Sequence, residues 1–270
     1  MKKLLFAFLV FIIVFMSVGP FLWFVDTSFK TEKEVTSIPP EVVPSWSAGF
    51  YISAIKRYRL LHYLKNSLLV AGGTTVLTIF LAVLCGYAVA RLKLPGKELF
   101  MKLLLLVSMF PQISIAGPVW RMLYKLNWLN TYQGLILPYV TLTLPLGVWV
   151  VASFFIKLPP DLEDAARVDG CSHLKTLLRI ILPLSAPGVF TAAILVFIYA
   201  WNEFFFALLI MTRQDVQTLP VGIAMFQGQY TLPWGEIAAA STVATIPLVL
   251  MVLVFQRRII SGLSAGAIKG

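Results

Sequence analysis

Charge is scarce in this sequence. Only 13% of its 270 residues are Asp, Glu, Lys or Arg, while 59% are hydrophobic; a soluble domain carries about 25% charged residues. So few polar side chains cannot clothe a water-exposed surface, which excludes an ordinary globular fold and leaves the lipid bilayer as the solvent. Cysteine is as sparse. Cys85 and Cys171 are too few for a disulfide framework, and no CxxC or Cys/His spacing suggests a zinc or redox centre. The two histidines, His62 and His173, stand far apart in the chain. With no paired acids, histidine cluster or activated serine in the apolar stretches, a membrane-embedded enzyme lacks its constellation. No GxxxxGK[ST] occurs either, so the chain has no phosphate-cradling loop for ATP. The net charge of +10 does not mark a nucleic-acid surface. The bases sit in short clusters between long uncharged stretches, as in loops that flank membrane spans.

A bilayer-spanning helix needs about 20 mostly apolar residues. Uncharged runs at residues 4–25, 66–90, 103–120, 134–156, 186–211 and 237–256 predict six spans. The fifth run carries one acid, Glu203. The third is the shortest and holds Pro111 and Pro118, so a kink is expected there. Pro138, Pro145 and Pro247 interrupt the fourth and sixth, which suits cavity-lining helices and is also common in membrane helices generally. The ten-residue alternation of an outer-membrane barrel is absent. The predicted fold class is therefore all-α, an integral membrane bundle of six transmembrane helices. The first run is longer than a secretory signal core and closes without a small-x-small cleavage site, so it is expected to stay attached. The organisation reads as a first helix at 1–25, an external loop at 26–65, a five-helix core at 66–256 and a tail at 257–270. Within the core lie two longer loops, 157–185 and 212–236.

Short basic flanks set orientation. Lys2-Lys3, Arg91-Leu92-Lys93 and Arg257-Arg258 share one side when both termini are cytoplasmic, although the bases of 56–65 argue the other way. Both termini and the loop 157–185 are thus predicted inside, with 26–65 and 212–236 outside.

The cytoplasmic loop has its own local logic. Pro159-Pro160 ends the fourth span, and Asp161 is then placed to cap a short helix with Glu163 and Asp164 in its first turn. Gly170 ends that helix. Ser172 caps a second, in which Leu174, Leu177, Leu178 and Ile181 form one apolar stripe before Pro183. Ala165 and Ala166 give the first helix a small, flat face that another protein could approach closely. The same hairpin could lie on lipid headgroups.

The run Asp164-Ala165-Ala166-x-x-Asp169-Gly170, followed by Ile180-x-Leu182-Pro183, resembles the EAA loop of the membrane subunits of ABC importers. That pattern is Glu-Ala-Ala, two residues, Asp-Gly, then about nine residues to Ile-x-Leu-Pro; Asp164 stands where the family has Glu, with Glu163 beside it. The segment Tyr199-Ala200-Trp201-Asn202-Glu203-Phe204 and the ending Gly262 to Gly270 are similar to the shorter, six-span subunit of maltose-type sugar permeases. This likeness runs from the first span to the last residue. The resemblance implies a permease subunit and not an enzyme, forming a carbohydrate pathway that works by alternating access. It implies as partners a second permease subunit of related fold, two ATP-binding ATPase subunits, an extracytoplasmic sugar-binding protein and membrane lipid, with no nucleic acid. It implies no cofactor on this chain, because the ATPase subunits hold ATP and Mg, and it implies a bacterial or archaeal inner or plasma membrane. Glu163, Asp164, Ala165, Ala166, Asp169, Gly170, Leu174, Leu182 and Pro183 would form the coupling element docked on an ATPase. Gly262, Ser264, Gly266 and Lys269 would reach between the ATPases, whereas their composition alone reads as a frayed terminus. A stand-alone secondary transporter or channel is the alternative; it would usually show an internal repeat, and none is evident.

An acid in an apolar run costs about 2.5–3.5 kcal/mol at the bilayer centre, so Glu203 is expected to face a cavity or a partner. Two readings stay open. Trp201, Asn202 and Glu203 line the pathway or a subunit interface, or Glu203 is neutralised or hydrogen-bonded and fixes helix packing. Neighbours on a helix diverge, so the three cannot meet one ligand. In the loop 212–236, Gln227, Gln229, Tyr230 and Trp234 are recognition-type residues. In maltose-type relatives an external loop here contacts the solute-binding protein, and a loop packed on the bundle fits them equally.

Overall fold

A computed structural model of the protein describes residues 2–226 and 232–267, with side chains described for 3–226 and 232–255. Among the described residues every regular element is helical. In chain order they are α1 (Lys2–Ser28), α2 (Glu32–Thr36), α3 (Gly49–Lys56), α4 (Leu60–Arg91), α5 (Lys97–Ser108), α6 (Gln112–Lys125) and α7 (Tyr132–Lys157). There follow α8 (Asp161–Val168), α9 (His173–Thr176), a π-helical turn (Leu177–Ile181), α10 (Leu182–Leu184) and α11 (Ala186–Asn202). The last three are α12 (Phe205–Ile210), α13 (Leu219–Ala224) and α14 (Trp234–Ala267).

Four stretches, Lys3–Ser28, Leu60–Arg91, Tyr132–Lys157 and Trp234–Phe255, are each long and apolar enough to cross a bilayer. The other two predicted spans are not single rods. α5 and α6 meet at 93°, and the stretch His173–Leu184 meets α11 at 82°, so six spans result only when each bent pair counts as one. The first bend falls at Pro111, the N-cap of α6. A proline has no N–H to continue α5 and disfavours helical backbone in the residue before it. Pro118 makes no second break and is carried inside α6. The second bend falls at Ser185, between Pro183 and Pro187. The apolar run 186–211 is also not one helix. It leaves helical geometry at Glu203 (φ −68°, ψ 129°) and resumes as α12. Hydropathy joined the two pieces because both sides of the break are apolar.

The chain forms two compact units, Met1–Leu64 with Leu219–Val249, and Lys65–Thr218 with Leu250–Gly270. In the first, Ser53 donates a hydrogen bond to Glu236 at 2.9 Å, tying α3 to the start of α14. None of the apolar window of α1 is buried. In the second unit α7 is central, with 61% of its apolar window buried. Val148, Val151 and Phe155 of α7 form a core with Ala82 and Tyr87 of α4 and with Leu177 and Ile181. Helices in lipid pack through small residues because apolar side chains gain little from leaving hydrocarbon. Gly147 of α7 is such a site: a Cβ there would meet Ala82 and Thr78 at 3.2 Å. The Thr78 and Thr143 hydroxyls share a buried hydrogen bond of 2.9 Å at the same crossing.

Gly188 of α11 lies on the ring of Phe154 of α7, where a Cβ would stand 2.1 Å from Cγ. Gly188→Val is expected to push α11 from α7 at a cost of about 1–3 kcal/mol. A thermal melt of the detergent-purified protein reads it as a lower midpoint, and an unchanged midpoint would contradict this packing.

Candidate functional site

The hairpin of residues 157–185 begins where α7 ends at Lys157. Pro160, not Asp161, is the N-cap of α8, and no side chain caps it. Asp161, Glu163 and Asp164 still occupy the first turn, where backbone N–H groups and the helix dipole favour carboxylates. Gly170 follows the helix at φ +76°, a left-handed conformation that glycine takes without steric cost. Ser172 caps the next helix as expected, its Oγ accepting from the Lys175 N–H at 3.4 Å.

The faces of α8 divide clearly. Glu163 and Ala166 are buried, whereas Asp164, Ala165, Arg167, Asp169 and Gly170 are exposed and Val168 is 89% exposed. Ala165 and Ala166 therefore do not form one flat outward face. The predicted apolar stripe also divides. Leu177 and Ile181 are buried, but Leu174 and Leu178 are 57% and 53% exposed, because the π-helical turn sets residues four apart in line and moves those at i+3 aside. Leu182 is half-buried and Pro183 exposed.

Glu163 turns inward to a partner that sequence reading missed. Its Oε1 lies 3.2 Å from Nε of Arg91, the last residue of α4, and both side chains are less than 10% exposed. Nη2 of the same guanidinium donates to the carbonyl of Leu158, the C-cap of α7, at 2.6 Å. The Arg91-Leu92-Lys93 cluster was legible only as a topological charge.

The second site lies at the α11–α12 break. Glu203 is buried and its carboxylate accepts three hydrogen bonds. The N–H of Phe206 reaches Oε1 at 2.9 Å, the N–H of Ala207 reaches Oε2 at 3.2 Å, and the hydroxyl of Tyr139 donates to Oε2. The acid thus satisfies the first free N–H groups of α12, which helices leave without internal partners. Nearby, Gln112 of α6 donates to the Tyr199 hydroxyl of α11 at 2.5 Å. Trp201 is buried and stacks on Phe197 with centroids 5.5 Å apart. Asn202 is exposed and returns its amide to the Ile198 carbonyl at 2.8 Å. The three residues diverge and meet no common point. A cavity of about 220 Å³ lined by Leu123, Trp128, Pro138 and Leu142 reaches Phe206; its walls are apolar.

At the start of α4, Asn66 donates to the Gln217 carbonyl at 2.8 Å and accepts from the Tyr132 hydroxyl at 2.8 Å. Thr212 to Asp215 are exposed, whereas Val216, Gln217 and Thr218 are buried, so the loop 212–236 is packed down from Val216. Trp234 opens α14 and is exposed; with Trp23, Lys30, Glu34 and Glu41 it lines a cavity of about 320 Å³. Gln227, Gln229 and Tyr230 lie outside the described residues. Glu34 accepts from the Thr31 N–H at 2.6 Å and from the hydroxyls of Thr31 and Ser45 at 3.0 Å. The Thr31 N–H, foremost, holds its carboxyl below the ordinary 4.5. At the other end of the chain α14 continues to Ala267, past the boundary expected at 257. Gly262, Ser264 and Gly266 lie on its backbone, their side chains outside the description, and Lys269 lies outside the described residues.

The family described as binding-protein-dependent transport system inner membrane component matches residues 78–264, a stretch that contains both sites. Over 253 residues the chain is 46% identical to a trehalose/maltose transport system permease protein of Thermococcus litoralis, covering 93% of this chain and 91% of the relative. Over 256 residues it is 41% identical to a trehalose transport system permease protein of Mycobacterium tuberculosis, covering 93% and 92%. Among solved structures, a chain of a bacterial ABC transporter involved in the import of the acidic polysaccharide alginate matches with a TM-score of 0.81, covering 95% of each chain at 18% identity. The fold is shared with that chain, and the resemblance read from the sequence is borne out.

Glu203→Gln loses an acceptor that buried N–H and O–H groups require. It is expected to cost about 1–3 kcal/mol and Tyr139→Phe about 1 kcal/mol, seen as lower melting midpoints. Transport lost by Glu203→Gln with an unchanged midpoint would instead place the acid's role in the pathway. For Glu34, a folded-state value below the ordinary one means that its contribution is full above 4.5 and fades as pH falls through the lower folded value. Tryptophan fluorescence of the segment 26–65 is expected to hold at pH 4.5 and change only below it, and Glu34→Gln removes that acid transition.

Proposed function

The chain belongs to the binding-protein-dependent transport system inner membrane component family, and on that premise we propose that it is the permease subunit of an ABC importer for a carbohydrate. The observation that carries the reading is the 46% identity, over 93% of the chain, to a trehalose/maltose permease. The multi-pass helical bundle and the fold shared with an alginate importer chain support it. A solute-binding protein delivers the sugar outside, and two ATPase subunits, which hold ATP and Mg, drive the bundle between inward-open and outward-open states. This chain contributes no cofactor. A second permease subunit of related fold completes the pathway, and the exposed apolar surfaces of α1 and α5, such as Phe11, Phe15, Leu103 and Leu106, suit such a neighbour.

Both termini and the hairpin lie on the cytoplasmic side in this reading. The exposed face of α8, with Asp164, Ala165, Val168, Asp169 and Gly170, docks on an ATPase, and Leu174, Leu182 and Pro183 link that helix to the fifth span. Gly262, Ser264, Gly266 and Lys269 extend toward the ATPases. Gln227, Gln229, Tyr230 and Trp234 meet the binding protein. Of the residues at the α11–α12 break, exposed Asn202 is best placed to face the pathway or the second permease, while Trp201 and Glu203 hold the break in shape.

The test is co-purification from detergent followed by reconstitution in vesicles. The expected result is recovery with a nucleotide-binding ATPase and a related membrane subunit, and uptake of trehalose or maltose that requires ATP and the binding protein. Solute movement by this chain alone, without ATP, would overturn the reading.

A further inference from the structure

We infer that Arg91 is the positioning residue of the docking helix, one guanidinium that locks α8 to the ends of α4 and α7 and so passes its motion into the bundle. The inference rests on the reading of α8 as the element that meets the ATPase.

α8 cannot hold its own place. It has eight residues, well under the roughly 12–15 at which an isolated helix becomes even marginally stable in water. It buries only Glu163 and Ala166. Pro159 and Pro160 stiffen its connection to α7, since each fixes its own φ. They leave open which face of the helix turns inward, and that face is chosen by Glu163. With Glu163 drawn to Arg91, Asp164, Ala165 and Val168 are turned outward.

Three helices converge on the one side chain. Arg91 is the last residue of α4, its Nη2 donates to the Leu158 carbonyl that follows α7, and its Nε faces Glu163 of α8. The Leu158 carbonyl takes a hydrogen bond from this guanidinium, whereas Glu163 is held by charge at 3.2 Å without an aligned hydrogen bond; a lysine ammonium is a single point of charge and lacks the planar fork that reaches both. Both partners of the ion pair are less than 10% exposed. Separating a buried pair while either charge stays inside is strongly unfavourable. The latch is therefore two-state: α8 is seated with the pair closed, or it swings out with both charges in water. A helix seated in this way transmits a push to α4 and α7 as a rigid body.

The experiment uses the complete complex with its ATPases and binding protein in vesicles. It compares wild type with Arg91→Gln, Arg91→Lys and the charge swap Arg91→Glu with Glu163→Arg. ATP hydrolysis, sugar uptake and amide hydrogen exchange of α8 are measured on the same preparations. Arg91→Gln is expected to keep hydrolysis, to lower uptake per ATP by roughly tenfold and to speed α8 exchange by roughly tenfold, as loss of a buried charge partner requires. Arg91→Lys falls between, and the charge swap recovers part of both losses, which a merely structural defect would not. If Arg91→Gln does not assemble, the lysine variant and the swap decide. Wild-type uptake per ATP and wild-type exchange in Arg91→Gln and Arg91→Lys overturn the latch. A wild-type complex without ATP-dependent uptake overturns the docking reading instead, and is told apart because it fails before any substitution.

Discussion

A backbone N–H or C=O left in hydrocarbon has no water to turn to, and leaving it unpaired costs several kcal/mol. That constraint decides where this chain stops being helical. At the α11–α12 break the N–H groups of Phe206 and Ala207 would be orphaned, and the Glu203 carboxylate takes both while also accepting from the Tyr139 hydroxyl. Where α7 ends, the Leu158 carbonyl is taken by Arg91. Between α5 and α6 the break sits at a proline, which has no N–H to lose. Each irregularity has its own chemical answer. At the Glu203 break and at the end of α7 that answer is a charged side chain.

The same constraint explains what could and could not be read beforehand. Apolar runs reported the membrane-crossing stretches well, because hydropathy measures the solvent that each segment tolerates. They did not report direction, so the 93° and 82° bends were invisible apart from the proline at 111. Glu203 stood out as an acid among phenylalanines, but its partner Tyr139 lies on another helix and has no spacing that points to it. Arg91 was legible as a basic flank and not as the counter-ion of Glu163, since a pairing between distant loops leaves no local pattern. Gly170 and Ser172 were placed well because their roles are local, a left-handed residue and a cap. The leucine stripe failed for a local reason too, as the π-helical turn shifted the register that separates Leu177 and Ile181 from Leu174 and Leu178.

α8 and the Glu203 break differ in what they turn to the surface and to the interior. α8 keeps Asp161, Asp164 and Ala165 outward and turns Glu163 and Ala166 inward. The break keeps its carboxylate inward and leaves Asn202 as the polar group on the open side. Both sites sit on the second unit, whose centre is α7; that one helix carries Tyr139, the partner of Glu203, and closes at Leu158 beside Arg91.

The bare circumference of α1 bears on how the chain is made. None of the apolar window of this helix is covered by the rest of the protein, whereas most of that of α7 is. α1 can therefore rest in the bilayer as a lone helix while the ribosome is still producing the later ones. α7 has no such freedom. Its Thr143 hydroxyl, which donates to the Tyr139 carbonyl of its own helix, is packed against Thr78 of α4, made earlier, and its Phe154 ring lies against Gly188 of α11, made later. The order in which segments leave the ribosome then bears on the order in which they become stable in lipid, and α7 must wait at least for α11.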